Sequence, residues 1–181
     1  MCRLAAWFAV ALVGVSAPAA AGDSPAIAPL GHVRASDHRT KQLLQEGLAR
    51  SASLRDLVQR LDATDLIVYI QQPARFESGL AGGLTFMSAT SEFRYFNVLL
   101  SIEQTTGGAV AMLGHELQHA LEVSTAPEVR STPTLVAFYD RIGVKWNDHR
   151  WDTDGAQQMG RRVRSEFAHR RSEQATSRRC G

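Results

Sequence analysis

Apolar residues recur along the chain at two different spacings, and the change from one to the other outlines the fold. Leu54, Leu57, Val58 and Leu61 stand at i, i+3, i+4 and i+7, which puts their side chains on one face of an α-helix. Ser53 is placed to cap that helix, with Asp56 three residues on. A more polar helix precedes it, opened by Ser36-Asp37 and running through Leu43, Leu44 and Leu48. The pattern then shortens. Leu66-Ile67-Val68-Tyr69-Ile70 is apolar throughout and rich in β-branched residues, as expected of a strand buried on both faces. Two further strands are predicted over 84–88 and 94–101, joined by Ala89-Thr90-Ser91-Glu92 and approached through the glycine-bearing stretch 79–83.

Helical spacing returns directly after the last strand. Over 105–123, Val110, Leu113, Leu117 and Leu121 fall on one side and Met112, His115, His119 and Glu122 on the other. Thr105 or Thr106 caps the start, and the helix stops before Pro127. Thr132-Pro133 then reads as a cap followed by a proline in the first helical position, with Leu135, Phe138, Tyr139 and Ile142 as the stripe and Gly143 as the end. After a loop over 147–151, Asp152 or Thr153 opens a last helix whose stripe is Ala156, Met159, Val163 and Phe167. The order α-α-β-β-β-α-α-α predicts a small α+β domain, with a short three-stranded sheet packed against helices.

The two ends read differently from the middle. Met1-Cys2-Arg3, a twelve-residue apolar run from Leu4, and a small-residue stretch ending in an Ala-x-Ala pattern make 1–21 a secretory signal peptide. That run is too short to span a membrane, so the protein is expected to be secreted or periplasmic, with no integral membrane segment after cleavage. Cys2 leaves with the signal, so Cys180 alone remains and no internal disulfide is expected. Pro25 and Pro29 mark 22–35 as a linker, 36–170 forms the domain, and 171–181 is a basic, flexible tail. The roughly 160 residues after the signal suit one core. A formal net charge of +2, with acids and bases interspersed, calls for no polyanion, and nucleic acid is not an expected partner. Arginines thicken from Arg161 onward, which reads as the cationic end of a solvated helix; docking to an anionic surface is the alternative.

Candidate chemistry sits on the central helix. Gly114-His115-Glu116-Leu117-Gln118-His119 matches the HExxH pattern. Two histidines four residues apart lie one above the other on a helix, so both rings can reach one Zn²⁺, and Glu116 stands where it can deprotonate a water on that metal. Two histidines with no metal are the bland reading, which the flanking apolar residues Met112, Leu113 and Leu121 disfavour.

A chain with an export signal, in which a small strand-bearing region runs straight into Gly114-His115-Glu116-Leu117-Gln118-His119-Ala120, resembles the zincin metalloproteases, and among them a minimal gluzincin-like form. The resemblance covers some twenty residues and, beyond them, the order of elements. It implies a zincin-like domain with Zn²⁺ held by His115 and His119, and Glu116 as general base for water attack on a peptide or protein substrate. It also implies a sheet-edge strand that aligns substrate, for which 94–101 is the candidate. The longer pattern H-E-x-x-H-x-x-G-x-x-H is not met, because Glu122 and Thr125 stand where its glycine and third histidine would be. A metzincin is therefore disfavoured.

A catalytic zinc takes a third protein ligand, which the gluzincin pattern draws from a carboxylate on a later helix. Asp140 and Asp154 oppose the apolar stripes of their own helices and are poor candidates. Asp152 projects with Ala156, Met159 and Val163 and is preferred, its bland role being an N-cap. Glu122 lies seven residues from His115, about 10.5 Å along the axis, and so suits a hydrogen bond to a histidine ring better than a shared ion. His149 is an outside candidate, and Tyr139 is either an oxyanion donor or an ordinary core tyrosine. The expectation is a secreted zinc-dependent peptidase with Glu116 as catalytic residue and His115, His119 and Asp152 as metal ligands. Its rival is a non-catalytic secreted binding protein on the same scaffold.

Overall fold

The computed structural model describes residues 31–75, 79–147 and 150–177. The expected signal peptide at 1–21, most of the expected linker at 22–35 and His149 lie outside the described residues. What is described is a mixed α+β domain of five helices, a four-stranded sheet and a separate two-stranded ribbon.

In chain order the elements are β1 (Val33–Ala35), α1 (His38–Arg50), α2 (Ala52–Asp62), β2 (Leu66–Gln71), β3 (Gly82–Ala89), β4 (Arg94–Leu100), α3 (Thr106–Ser124), α4 (Thr132–Ile142), β5 (Val144–Asn147), β6 (Arg150–Asp152) and α5 (Asp154–Ser177). The sheet order is β1-β2-β4-β3, with β1–β2 and β2–β4 parallel and β3–β4 antiparallel. The sheet thus has four strands where three were expected. The addition is β1, which falls at the end of the stretch read as linker and pairs Val33 with Val68. The expected loop over 147–151 is likewise corrected: β5 and β6 form an antiparallel ribbon there. Residues 171–177 of the expected tail continue α5.

Alternation decides which way the sheet faces. Along β4, Arg94, Phe96, Val98 and Leu100 are buried while Tyr95, Asn97 and Leu99 are half-buried. The buried set joins Leu66, Val68 and Ile70 of β2 and Val110, Leu113 and Leu117 of α3 in one core. Strand and helix periods therefore converge on a single apolar layer. Leu113 and Leu117 have no exposed surface, and truncating either to alanine costs about 2–5 kcal/mol.

Two caps differ from the sequence reading. Ser51, not Ser53, starts α2: its Oγ accepts from the Leu54 N–H at 3.0 Å, and its own N–H donates to Gly47 O at 2.8 Å, closing α1. Ser53 lies inside the first turn and donates to Glu166 Oε1 at 2.6 Å. Similarly, Ser131 rather than Thr132 caps α4, in a reciprocal pairing with Thr134, and Gly143 ends that helix as expected. Asp37 and Thr105 cap α1 and α3 as the sequence suggests.

The far end of α3 is tied to the sheet by a fully buried cation. Arg94 donates to both carboxylate oxygens of Asp65 at 2.7 Å each, and its Nη1 donates to Ala126 O at 2.7 Å and Val123 O at 3.2 Å. Carbonyls at and just past the helix C-terminus, the negative end of its dipole, thus gain a charged donor beside their backbone N–H partners. Asp65 is held below the ordinary carboxylate range by its hydrogen bonds from Arg94, against the opposing effect of burial.

Candidate metal centre

Helix α3 is buried along most of its length, so its motif residues are held rather than waving in solvent. Gly114 lies against Val163 of α5, where a Cβ would come within 2.7 Å of a valine methyl, and Gly160 of α5 lies under His115. These small residues let α3 and α5 pack closely behind the histidines. His115 and His119 consequently present their rings to the same side, 4.8 Å apart between centroids and nearly perpendicular.

The third expected ligand comes to the same point. Asp152 Oδ1 lies 3.4 Å from His115 Nε2 and 3.8 Å from His119 Nε2, and one ligand atom from each of the three residues falls within 4.8 Å of the others. The bland role does not apply to Asp152. It ends β6, and Thr153 is the cap of α5, its Oγ1 accepting from Ala156 N at 3.1 Å. Asp152 is instead aimed by two donors, the Thr153 N–H at 2.7 Å to Oδ1 and Gln157 Nε2 at 3.1 Å to Oδ2.

Each ring is also oriented from behind. Glu122 Oε2 lies 3.1 Å from His119 Nδ1, and Glu122 Oε1 accepts from Thr153 Oγ1 at 2.8 Å. Glu122 is thus not in the ligand group; it fixes a ring, as the axial separation implied. The His115 ring backs onto α5, with Cβ and Nδ1 beside Gly160. Both imidazoles therefore turn Nε2 to the common point, and His119 has its other nitrogen engaged by Glu122, the arrangement that metal-binding histidines adopt. Two imidazoles and a carboxylate make a donor set that can hold a divalent metal ion.

The charges at the site work against one another. Burial, then the neighbouring His119 charge, pushes the His115 pKa down, which keeps that imidazole neutral. Burial acts to lower His119 as well, but its hydrogen bond to Glu122 and the nearby Glu116 and Asp152 charges more than offset this, and its pKa is raised. Glu116 is 4% exposed, and burial lifts its pKa to about 7, with His119 opposing the shift. A carboxylate poised near neutrality can both take and return a proton.

These groups open onto a cleft of about 1210 Å³, walled by β3 on one side and by Leu135, Val136 and Tyr139 of α4 on the other, with Trp151 of the ribbon beside Asp152. Tyr139 plays its core role: its hydroxyl donates to His119 O at 3.0 Å, and its ring stands edge-on to that of His119. Burial raises its pKa well above the usual phenol value, which keeps it a donor. Asp140 is exposed and accepts from Trp151 Nε1 at 2.8 Å, and Asp154 is exposed at the start of α5.

The strand expected to form the sheet edge is corrected. The 94–101 stretch forms β4 (Arg94–Leu100), which lies inside the sheet between β2 and β3, and β3 is the outer strand beside the cleft. Ser101 N–H donates to Ala81 O, and antiparallel residues alternate between facing the partner and facing away, so the peptide groups of Gly82, Leu84 and Phe86 point to the free edge. The pairing shifts register between Phe86 and Ser88, which ends this regular run. Sequence reasoning missed Thr153 as the partner of Glu122, although a threonine opening a helix was the available signal. It also missed Gly82, for which no local signal exists.

No protein-family model matches the chain, and neither a curated protein nor a solved structure matches it significantly. Among the described residues, no helix is long and apolar enough to cross a membrane.

Proposed function

We propose that this protein is a small exported zinc-dependent peptidase, with the zincin resemblance of its HExxH stretch extending to the reaction. The observation that carries this reading is the convergence of His115, His119 and Asp152 beside a buried Glu116 whose pKa is about 7, in one open cleft. The three protein donors found among the described residues suit a site that keeps a position for chemistry. That favours a peptidase over the rival binding protein with a structural ion.

His115, His119 and Asp152 would hold the zinc, which when bound supplies a Lewis acid that polarises the scissile carbonyl and makes water more acidic. Glu116 takes the proton from the attacking water and passes it to the leaving amine, a role for which its place in the cleft with the two histidines suits it. Glu122 and Thr153 hold the His119 ring by Nδ1, which would leave Nε2 as the nitrogen to hold the ion. An extended substrate segment lies along the free edge of β3, where the outward peptide groups of Gly82, Leu84 and Phe86 offer both donors and acceptors. Tyr139 shapes the cleft wall rather than stabilising an oxyanion, because its hydroxyl is engaged by His119 O.

The test is Glu116→Gln, measured by zinc content and by hydrolysis of fluorescently labelled casein. The expected result is full zinc occupancy with hydrolysis reduced at least about 100-fold, in keeping with the usual contribution of general-base catalysis. Turnover at the wild-type rate in a zinc-loaded variant would refute the assignment.

A further inference from the structure

Two glycines stand side by side at the start of β3, and their surroundings are opposite. At Gly83 an added Cβ would meet nothing within 4 Å. At Gly82 it would lie 2.5 Å from Met112 Cγ, 2.9 Å from Glu116 Oε1 and 3.0 Å from Met112 Sδ. Real side-chain carbons do not approach so closely, and neither glycine has a positive φ, so backbone conformation is not what calls for glycine at 82. What calls for it is the approach of the strand to α3 at the height of Glu116. The same residue turns its N–H and C=O to the free edge, because its neighbour Ala81 is bonded to Ser101.

We infer that Gly82 is a positioning residue for hydrolysis: its missing side chain leaves the room in which the Glu116 carboxylate sits, and places that carboxylate directly beside the edge where substrate pairs. This rests on the peptidase reading. The chemistry follows from the contacts. Glu116 is buried on its helix, with Met112 one turn before it on the same face. A methyl group at 82 would compete with both. Met112 is flexible and can swing aside, but a displaced Oε1 leaves the line along which Glu116 accepts its proton, and small displacements of a general base are costly to rate. The three atoms nearest the new methyl belong to Met112 and Glu116 and none to His115, His119 or Asp152, so the ligand group is expected to keep its ion.

The experiment compares Gly82→Ala with Gly83→Ala in the zinc-loaded protein. Gly83→Ala should keep kcat on labelled casein within about 2-fold of wild type. Gly82→Ala should retain zinc at full stoichiometry and lower kcat by at least about 10-fold with KM nearly unchanged, the split expected when a proton acceptor moves and substrate pairing does not. Wild-type kcat in Gly82→Ala overturns the inference, as does a loss confined to KM. If Gly82→Ala does not fold, Gly82→Ala combined with Met112→Ala removes the sulfur-bearing neighbour and leaves Glu116 Oε1 as the contact. That double variant should remain slow relative to Met112→Ala alone, and equal rates overturn the inference. A crystal structure of Gly82→Ala separates this idea from the peptidase reading, since it needs no turnover: a shifted Glu116 carboxylate supports the positioning role, and a carboxylate in the wild-type place removes it. Absence of casein hydrolysis by the wild-type protein would count against the peptidase reading alone.

Discussion

Replacing Asp65 by asparagine isolates the tether at the end of α3. In the native protein the Arg94 side chain is 1% exposed and is met by two carboxylate oxygens at 2.7 Å together with carbonyls of the helix end. Removing one partner of a fully buried ion pair costs about 3–5 kcal/mol, because the remaining charge is left without its counterion. Asp65 itself is 36% exposed, so water can approach the gap and the helix carbonyls stay in place; the cost falls to about 2 kcal/mol. For a chain of this length, that lowers the melting temperature by about 4–8 °C. The pH dependence supplies a second check. The folded pKa of Asp65 lies below its ordinary value of 3.8, so the stability it contributes is complete above that value and is lost as pH falls through the lowered folded pKa. The gap between wild type and Asp65→Asn, followed by circular dichroism or calorimetry, should therefore be constant from pH 7 to 5 and close below about pH 4. A melting temperature within 1 °C of wild type at pH 7 would show that the carboxylate adds nothing. A gap that persists unchanged at pH 2.5 would show that the effect is not electrostatic.

The remaining predictions concern the ion. Asp152→Ala should weaken zinc retention by more than about 100-fold, whereas Glu122→Gln, which loosens only the His119 ring, should cost about 10–100-fold; competition with a chromophoric chelator ranks them, and the reverse order would reassign the ligands. Zinc uptake should release protons near neutral pH, because His119 with its raised pKa and Glu116 with its pKa of about 7 must both give way to a cation, so affinity climbs as pH rises through this range. Titration calorimetry in buffers of different ionisation enthalpy would expose an uptake that releases none.

Much of this organisation was readable beforehand, and the failures have physical causes. The stripe of Val110, Leu113, Leu117 and Leu121 identified the central helix because burial on one side of α3 is strongly periodic. Asp152 does lie with the two histidines, but its setting differs from the helix face that the sequence suggests: it closes β6 and is aimed by Thr153 and Gln157. The ribbon itself left little trace, since Val144 and Lys145 are exposed and its strands are only four and three residues long. Strand β1 was hidden for the same reason, with three residues following a proline-bearing stretch. Ser51 and Ser53 are equally plausible caps locally, and Glu166 on α5, more than a hundred residues away, engages both hydroxyls; what separates them is the Leu54 N–H, which Ser51 accepts. Strand order was beyond local pattern altogether. Nothing in 82–89 or 94–100 announces which is outermost, because that depends on β4 pairing in parallel with β2. Arg94 read as an ordinary first residue of a strand, and its burial depends on an aspartate 29 positions earlier.

The irregular pairing between Phe86 and Ser88 carries a consequence for the molecule in a crowd. An unpaired outer strand is an invitation to any extended chain, another molecule of the same protein included, and runaway stacking grows with the number of consecutive residues on offer. By shifting register after Phe86, β3 limits the regular run of outward peptide groups to Gly82, Leu84 and Phe86, so a neighbouring strand is offered few consecutive bonds.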